Sequence, residues 1–166
     1  MLFKFSNQIL AAKLGLEKPK KEFASSKIVT DSRKISKGDC FLALKGPNFN
    51  GHDFIDEALD RGASFVISEK KHPQDKRILG VNSTHECLSF LAKYQRKKFE
   101  GKVIGITGSN GKTSTKLLLS YLLSDKFDPS QIYISPGNWN NFYGLCFSLL
   151  ELKKNHKIAI FEIGTN

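Results

Sequence analysis

One stretch constrains this chain more than any other: VIGITGSNGKTSTKLLL, from Val103 to Leu119. An apolar, β-branched run breaks into a glycine-rich turn, and a leucine-rich run of helical character follows. A strand that feeds a helix through such a turn aims several backbone N–H groups at one point. The helix dipole adds partial positive charge there, so the turn is built for an anion. Gly108 and Gly111 let a ligand approach the backbone without a Cβ in the way. Lys112 supplies a charge that reaches outer phosphates, and Thr113 places a hydroxyl where such loops ligate Mg²⁺. The general pattern G-x-x-x-x-G-K-[ST] wants glycine at position 106, where Ile106 stands, and Gly105 lies one residue early. The loop is therefore a tighter variant, T-G-x-x-G-K-T. An incidental lysine at a helix start is the plainer reading. The strand before, the helix after and the intact Gly-Lys-Thr favour a nucleotide.

The rest of the second half repeats this alternation. Strands are expected at 102–107, 131–134 and 157–163, and helices at 112–124 and 142–153. Strands alternating with helices imply a parallel sheet. The first half reads differently. Ser6 caps a short helix that Gly15 ends, and 18–26 is polar and reads as a loop. Strands are expected at 27–30, 40–44, 64–67 and 78–81, with a helix from Phe54 to Arg61 closed by Gly62. Ser83-Thr84-His85-Glu86 is a capping box opening a helix that runs to about Lys98. Phe99-Glu100-Gly101 marks the boundary. The fold class is α/β, with a small N-terminal α/β domain over 1–99 and the start of a mainly parallel-sheet P-loop domain over 100–166.

Composition excludes several classes. The chain has 166 residues, 40% hydrophobic and 25% charged, as expected of a soluble globular protein. No apolar run reaches the ~18 residues of a membrane span. The N-terminus turns polar too soon for a secretory signal, so a cytoplasmic protein is expected. Cys40, Cys87 and Cys146 are far apart and odd in number, which points to neither a zinc site nor a disulfide framework, and packing is the simpler role. The formal net charge of +10 suits an anionic partner or a lysine-rich solvated surface. No aromatic residues interleave with the basic clusters, which counts against nucleic acid.

Four stretches together resemble a known family. GITGSNGKTSTK (105–116) resembles the ATP loop of the Mur ligases and of their relative folylpolyglutamate synthase. GNWNNFYGLCFSLLEL (137–152) resembles the family's G-N-x-N-N-x-x-G-x-P-x-x-L-L segment. AIFEIGTN (159–166) resembles the strand V-x-E-x-G-x-N of the MurF branch. TDSRKISKGDCFLALKGPNFNGHDFIDEALDRGASFVIS (30–68) resembles the N-terminal domain of the MurF and MurE branches, which holds the UDP end of the substrate. The family often has Asp at the position of Asn50, and Pro at or near that of Cys146.

The resemblance implies an ATP-dependent amide ligase of peptidoglycan precursor synthesis. ATP would phosphorylate the terminal carboxylate of UDP-N-acetylmuramoyl-tripeptide, and the amine of D-alanyl-D-alanine would attack the acyl phosphate. Lys112 and Glu162 would be catalytic, and Thr113 and Glu162 would hold Mg²⁺. ATP would be bound by Gly108, Ser109, Asn110, Gly111, Lys112, Thr113, Ser114 and Asn141. Asn140 stands between ligand binding and turn formation, and Trp139 between stacking and packing. The UDP end would meet Ser32, Arg33, Lys45, Gly46 and His52, with Asp31 orienting Arg33; a structural role for His52 stands beside this. A surface acid paired with a lysine is the plain reading of Glu162. An acid inside the apolar run 158–163 favours the metal. A monomer is expected. The family continues into the rest of an ATPase domain and a C-terminal domain, so residues 1–166 alone are expected to be inactive. The shortened sheet is expected to leave 157–163 as an open edge. A MurE-like ligase adding the third amino acid, and a non-catalytic UDP-sugar or nucleotide-binding module, remain alternatives.

Overall fold

The computed structural model describes residues 4–25, 27–46, 49–70, 74–137 and 139–164. Positions 47, 48, 138, 165 and 166, which fall in the motifs quoted above, lie outside the described residues. The chain forms two compact units, one from Phe3 to Ser89 and one from Phe90 to Asn166.

In the first unit, β1 (Phe5–Ser6) leads into α1 (Asn7–Lys13). Ser6 caps this helix, its Oγ accepting from the Ile9 amide at 3.2 Å, and Gly15 follows the helix at φ +68°. The 18–26 segment is not all loop: Ala24–Ser25 form β2, antiparallel to β1. The cause is the buried Asn7 side chain. Its Nδ2 donates to the Lys21 carbonyl at 3.0 Å and its Oδ1 accepts from the Phe23 amide at 2.9 Å, fixing a polar segment that composition alone leaves free.

The main sheet of this unit contains β3 (Ile28–Val29), β4 (Cys40–Leu42), β5 (Phe65–Ser68) and β6 (Ile78–Gly80). All are parallel and in sequence order. Helix α2 (Ile55–Asp60) lies between β4 and β5 in sequence. It ends as Gly62 predicts: Gly62, at φ +96°, donates to the Leu59 carbonyl and Ala63 to that of Ala58, both at 3.0 Å. The core joins Val29, Ile35, Phe41, Ala43, Ile55, Ala58, Leu59, Ala63 and Val66.

Helix α3 (Thr84–Lys98) begins in the first unit, and its residues from Phe90 belong to the second. Ser83 Oγ accepts from the Glu86 amide at 3.2 Å, one half of the expected capping box. Glu69 also serves this start, Oε1 accepting from the Thr84 amide at 2.8 Å and hydroxyl at 2.9 Å.

The second unit follows with β7 (Lys102–Ile106), α4 (Lys112–Leu123), β8 (Ile132–Ile134), α5 (Phe142–Leu150) and β9 (Ile158–Glu162). The strands are parallel in the order β7-β9-β8. This corrects one expectation: β9 is the central strand, not an open edge. The chain returns from α5 to insert β9 between its predecessors. Its run Ile158-Ala159-Ile160-Phe161 is buried throughout, as a parallel strand covered on both faces must be. Phe99, Tyr133, Leu152, Ala159 and Phe161 form the core here. Gln95, fully buried, donates to the Leu152 carbonyl at 2.8 Å.

Phe41 is fully buried at the centre of the first core. Phe41→Ala is expected to cost about 3–5 kcal/mol of stability in urea unfolding. A loss below ~1 kcal/mol would mean that this cluster does not hold the unit together.

Candidate active site

The pairing of β7 with β9 sets Ile106 opposite Glu162. The loop that leaves β7 and the carboxylate that ends β9 thus share one edge of the sheet, the carboxyl edge where open α/β sheets bind ligands. Within the loop, Gly108 has φ +147° and Gly111 φ +73°. Gly111 is the N-cap of α4 and has no side chain to occupy the first amides of that helix. Those donors are left to face an anion. Ser109, Asn110 and Ser114 are exposed around them. Lys112 turns back on its own loop, Nζ donating to the Gly108 carbonyl at 2.6 Å.

Glu162 is 3% exposed and is held by three side chains. Thr113 Oγ1 donates to its Oε2 at 2.7 Å, Asn140 Nδ2 to its Oε1 at 3.1 Å, and Lys116 Nζ lies 3.2 Å from Oε2. The Thr113 hydroxyl, with smaller help from Asn140 and Lys116, holds the carboxyl below its ordinary range against the opposing effect of burial. It is ionised at neutral pH. Its own amide donates to Ser135 Oγ at 3.0 Å.

The two residues expected to hold a metal, Thr113 and Glu162, are therefore in direct contact. Asn140 and Asn141 diverge. Asn140 reaches Glu162, whereas Asn141 caps α5, its Oδ1 accepting from the Gly144 amide at 2.8 Å. A Cβ on Gly144 would stand 2.7 Å from Trp139 Cα, so glycine is needed for the helix start to sit against that turn. The Trp139 ring packs 6.1 Å from that of Phe147.

The residues expected at the UDP end follow the strands of the first unit. Ser32 comes after β3, Lys45 and Gly46 after β4. Asp31 does grip Arg33, with Nε to Oδ1 and Nη2 to Oδ2 both at 2.9 Å, and the Arg33 side chain is 79% exposed. Ser32 is buried and donates to Glu57 Oε2 at 2.8 Å. The Gly46 amide donates to the Phe49 carbonyl at 2.7 Å, and Lys45 pairs with Asn50 in an isolated antiparallel bridge. Both ring nitrogens of His52 are engaged. Nε2 accepts from the Glu69 amide at 3.0 Å, so Nδ1 carries the proton and donates to Asn50 Oδ1 at 2.9 Å. Burial pushes its pKa below the ordinary value.

Lys116 and Ser135 were not singled out by the sequence pattern. Lys116 stands three residues after Thr113, and so on the same side of α4, within a leucine-rich run. A lone lysine at that spacing was the available signal. All three cysteines are free and buried. Among the described residues no group of three or more His, Cys, Asp or Glu could hold a metal, and no helix is long and apolar enough to cross a membrane. Thr113 and Glu162 supply two adjacent oxygen donors. That fits Mg²⁺, which takes one or two carboxylates and completes its shell with water and phosphate.

Comparison with known proteins agrees in both units. The family model described as the Mur ligase catalytic domain matches residues 26–96, and that of the Mur ligase middle domain matches 106–166. The UDP-N-acetylmuramoyl-tripeptide–D-alanyl-D-alanine ligase of Rickettsia prowazekii is 39% identical over 98% of this chain and 35% of its own length. The chain thus spans about a third of that relative. A crystal structure of MurF from Acinetobacter baumannii matches with a TM-score of 0.84 at 35% identity, over 99% of this chain and 36% of that one. The MurF ligase of Thermotoga maritima in complex with ADP matches with a TM-score of 0.75 at 42% identity, over 83% of this chain and 32% of that one.

Two measurements check these placements. Asn141→Ala is expected to lower stability by about 1 kcal/mol, as loss of a helix cap does. Lost nucleotide affinity without lost stability would instead place Asn141 against the ligand. For His52, the unfolded chain binds the proton near pH 6.5 and the folded chain only at lower pH. The contribution of His52 is therefore complete above 6.5 and declines as pH falls through that value. Urea midpoints followed from neutral to mildly acid pH should fall more steeply in the unaltered chain than in His52→Gln.

Proposed function

The chain belongs to the Mur ligase family, and on that premise we propose that it is the front of a MurF-type enzyme. Such an enzyme is an ATP-dependent cytoplasmic ligase that joins D-alanyl-D-alanine to UDP-N-acetylmuramoyl-tripeptide through an acyl phosphate. The unit ending at Ser89 is assigned as the UDP-substrate domain and the unit from Phe90 as the start of the ATP-binding domain, ten residues before the boundary expected at 99–101. The observation that carries this reading is the 2.7 Å contact between Thr113 and the ionised Glu162, beside a loop with a left-handed glycine at its helix cap. The name of the Rickettsia relative favours D-alanyl-D-alanine addition over addition of the third amino acid.

The chemistry asks for positioning of two anions, the γ-phosphate and a carboxylate. The amides from Gly108 to Ser114 receive the phosphates. Lys112 releases the Gly108 carbonyl and turns to the β- and γ-phosphates. Thr113 and Glu162 would hold Mg²⁺, which would supply positive charge against the phosphoryl group. Asn140 keeps Glu162 oriented, and Asn141 holds the start of α5 beside it. At the UDP end the exposed guanidinium of Arg33, steadied by Asp31, meets the diphosphate together with Lys45 and the Gly46 turn. His52 and Ser32 fix the loops that carry these groups. The protein acts as a monomer with no nucleic-acid partner. Binding is assigned to these residues and turnover to a ligase of the family's length.

Titration calorimetry with ADP in the presence of Mg²⁺ tests this directly. The chain should bind, and Lys112→Ala should weaken binding about tenfold or more, at least ~1.4 kcal/mol. A folded chain that ignores ADP would defeat the nucleotide reading. Uridine diphosphate should bind independently and be weakened by Arg33→Ala. Equal affinity in that variant would remove Arg33 from the UDP end.

A further inference from the structure

Lys116 carries more than the phosphate-loop pattern asks of it. An ammonium group has three N–H donors, and here each has an acceptor: the Ser135 carbonyl at 3.0 Å, the Gly137 carbonyl at 2.7 Å and Glu162 Oε2 at 3.2 Å. The residue is 1% exposed. Burying a lysine at the head of a helix is expensive unless it is paired. Leu117, Leu118, Tyr121 and Leu122 of the same helix are 56%, 59%, 73% and 57% exposed. The charged residue is fully buried, whereas these four apolar ones are outside and Leu119 and Leu123 are only half-buried.

We propose that Lys116 is a positioning residue that aims the Glu162 carboxylate and neutralises it, so that the site takes up a divalent cation only together with a nucleotide's phosphates. The proposal rests on the nucleotide reading given above. Aim comes from geometry. Oε2 of Glu162 receives both Thr113 and Lys116, Oε1 receives Asn140, and the Glu162 amide is tied to Ser135, whose carbonyl Lys116 also holds. The carboxylate cannot rotate without breaking bonds to α4 and to the turn after β8. Neutralisation comes from charge. Glu162 is the one carboxylate that these contacts bring together. Lys116 cancels it, and Lys112 in the adjoining loop adds a further positive charge. A bare divalent cation meets no net attraction here. Phosphates bound to the loop reverse the sign, and the aimed Glu162 and Thr113 oxygens then complete the cation's shell.

Mn²⁺, followed by its free-ion paramagnetic resonance signal, is the probe. Without nucleotide, the unaltered chain should leave that signal undiminished. Lys116→Gln removes the charge while keeping donors for the two carbonyls. It should retain Mn²⁺ without nucleotide, tighter by roughly tenfold or more than the unaltered chain, as expected for one like charge removed from contact distance. Adding Glu162→Gln should abolish that retention. A purely structural role for Lys116 would not produce this gain of cation binding, and Lys116→Met serves the same arm if the glutamine variant does not fold. Retention of Mn²⁺ by the unaltered, nucleotide-free chain overturns the assignment, as does a folded Lys116→Gln chain that retains no more than the unaltered one. ADP binding is measured separately: its absence overturns the nucleotide reading, whereas nucleotide-free retention of Mn²⁺ overturns the role of Lys116 alone.

Discussion

The site depends on one pairing, that of β7 with β9. Two strands far apart in sequence lie side by side and parallel, with Ile106 opposite Glu162. Because they are parallel, their carboxyl ends coincide. The glycine turn that follows one and the acid that ends the other therefore meet without any long side chain reaching across. The Ile163 amide then bonds the Ile106 carbonyl at 2.9 Å, carrying the ladder one step past Glu162. A slip of one residue would turn Glu162 to the other face of the sheet. The wholly buried run before it, Ile158 to Phe161, resists such a slip by packing on both sides.

That register has a consequence for stability. It buries a carboxylate, and a buried charge is tolerated only with partners. Thr113, Asn140 and Lys116 come from α4 and from the turn between β8 and α5, so the cost of burying Glu162 is offset by tying those elements together. A hydrophobic pair of similar volume could be as stable or more so, and buried ion pairs are weak evidence for stability as such. What the polar cluster provides, and an apolar pair would not, is a fixed direction for two oxygen atoms. The arrangement is a concession of packing to chemistry.

Much of this was legible beforehand, and the rest was hidden for identifiable reasons. The phosphate turn, the strands and helices around it and the helix stop at Gly62 follow from local rules: glycine where φ is positive, an apolar run before, helical spacing after. Glu162 could be singled out because an acid inside an apolar strand is rare. Strand order was not local. Nothing within 157–163 says whether the strand lies at an edge or in the centre, except that it is apolar on both faces. That signal was present and pointed to the centre. The short β2 strand depends on a side-chain amide contributed from 16 residues away, by Asn7 to Phe23, and composition does not register such contacts. Lys116 was hidden by the habit of placing lysine outside and leucine inside. On α4 Lys116 is buried on the same side as the half-buried Leu119 and Leu123, while Leu117, Leu118, Tyr121 and Leu122 lie outside.

The two units build their carboxyl edges by different physical means. Both sheets are parallel, so both gather their loops at a carboxyl edge. In the second unit the backbone does the gathering: glycine leaves helix amides open, and Lys116 and Glu162 are already committed to one another. In the first unit the loops are braced by side chains instead. Asp31 holds Arg33, Glu57 holds both Ser32 and Arg61, and His52 joins Asn50 to Glu69. Bracing of that kind leaves few groups free; Arg33, though paired with Asp31, keeps its side chain 79% exposed. A backbone cradle suits a phosphate chain that any nucleotide offers. How each edge satisfies its own polar groups thus decides whether backbone amides or side chains are left to be presented.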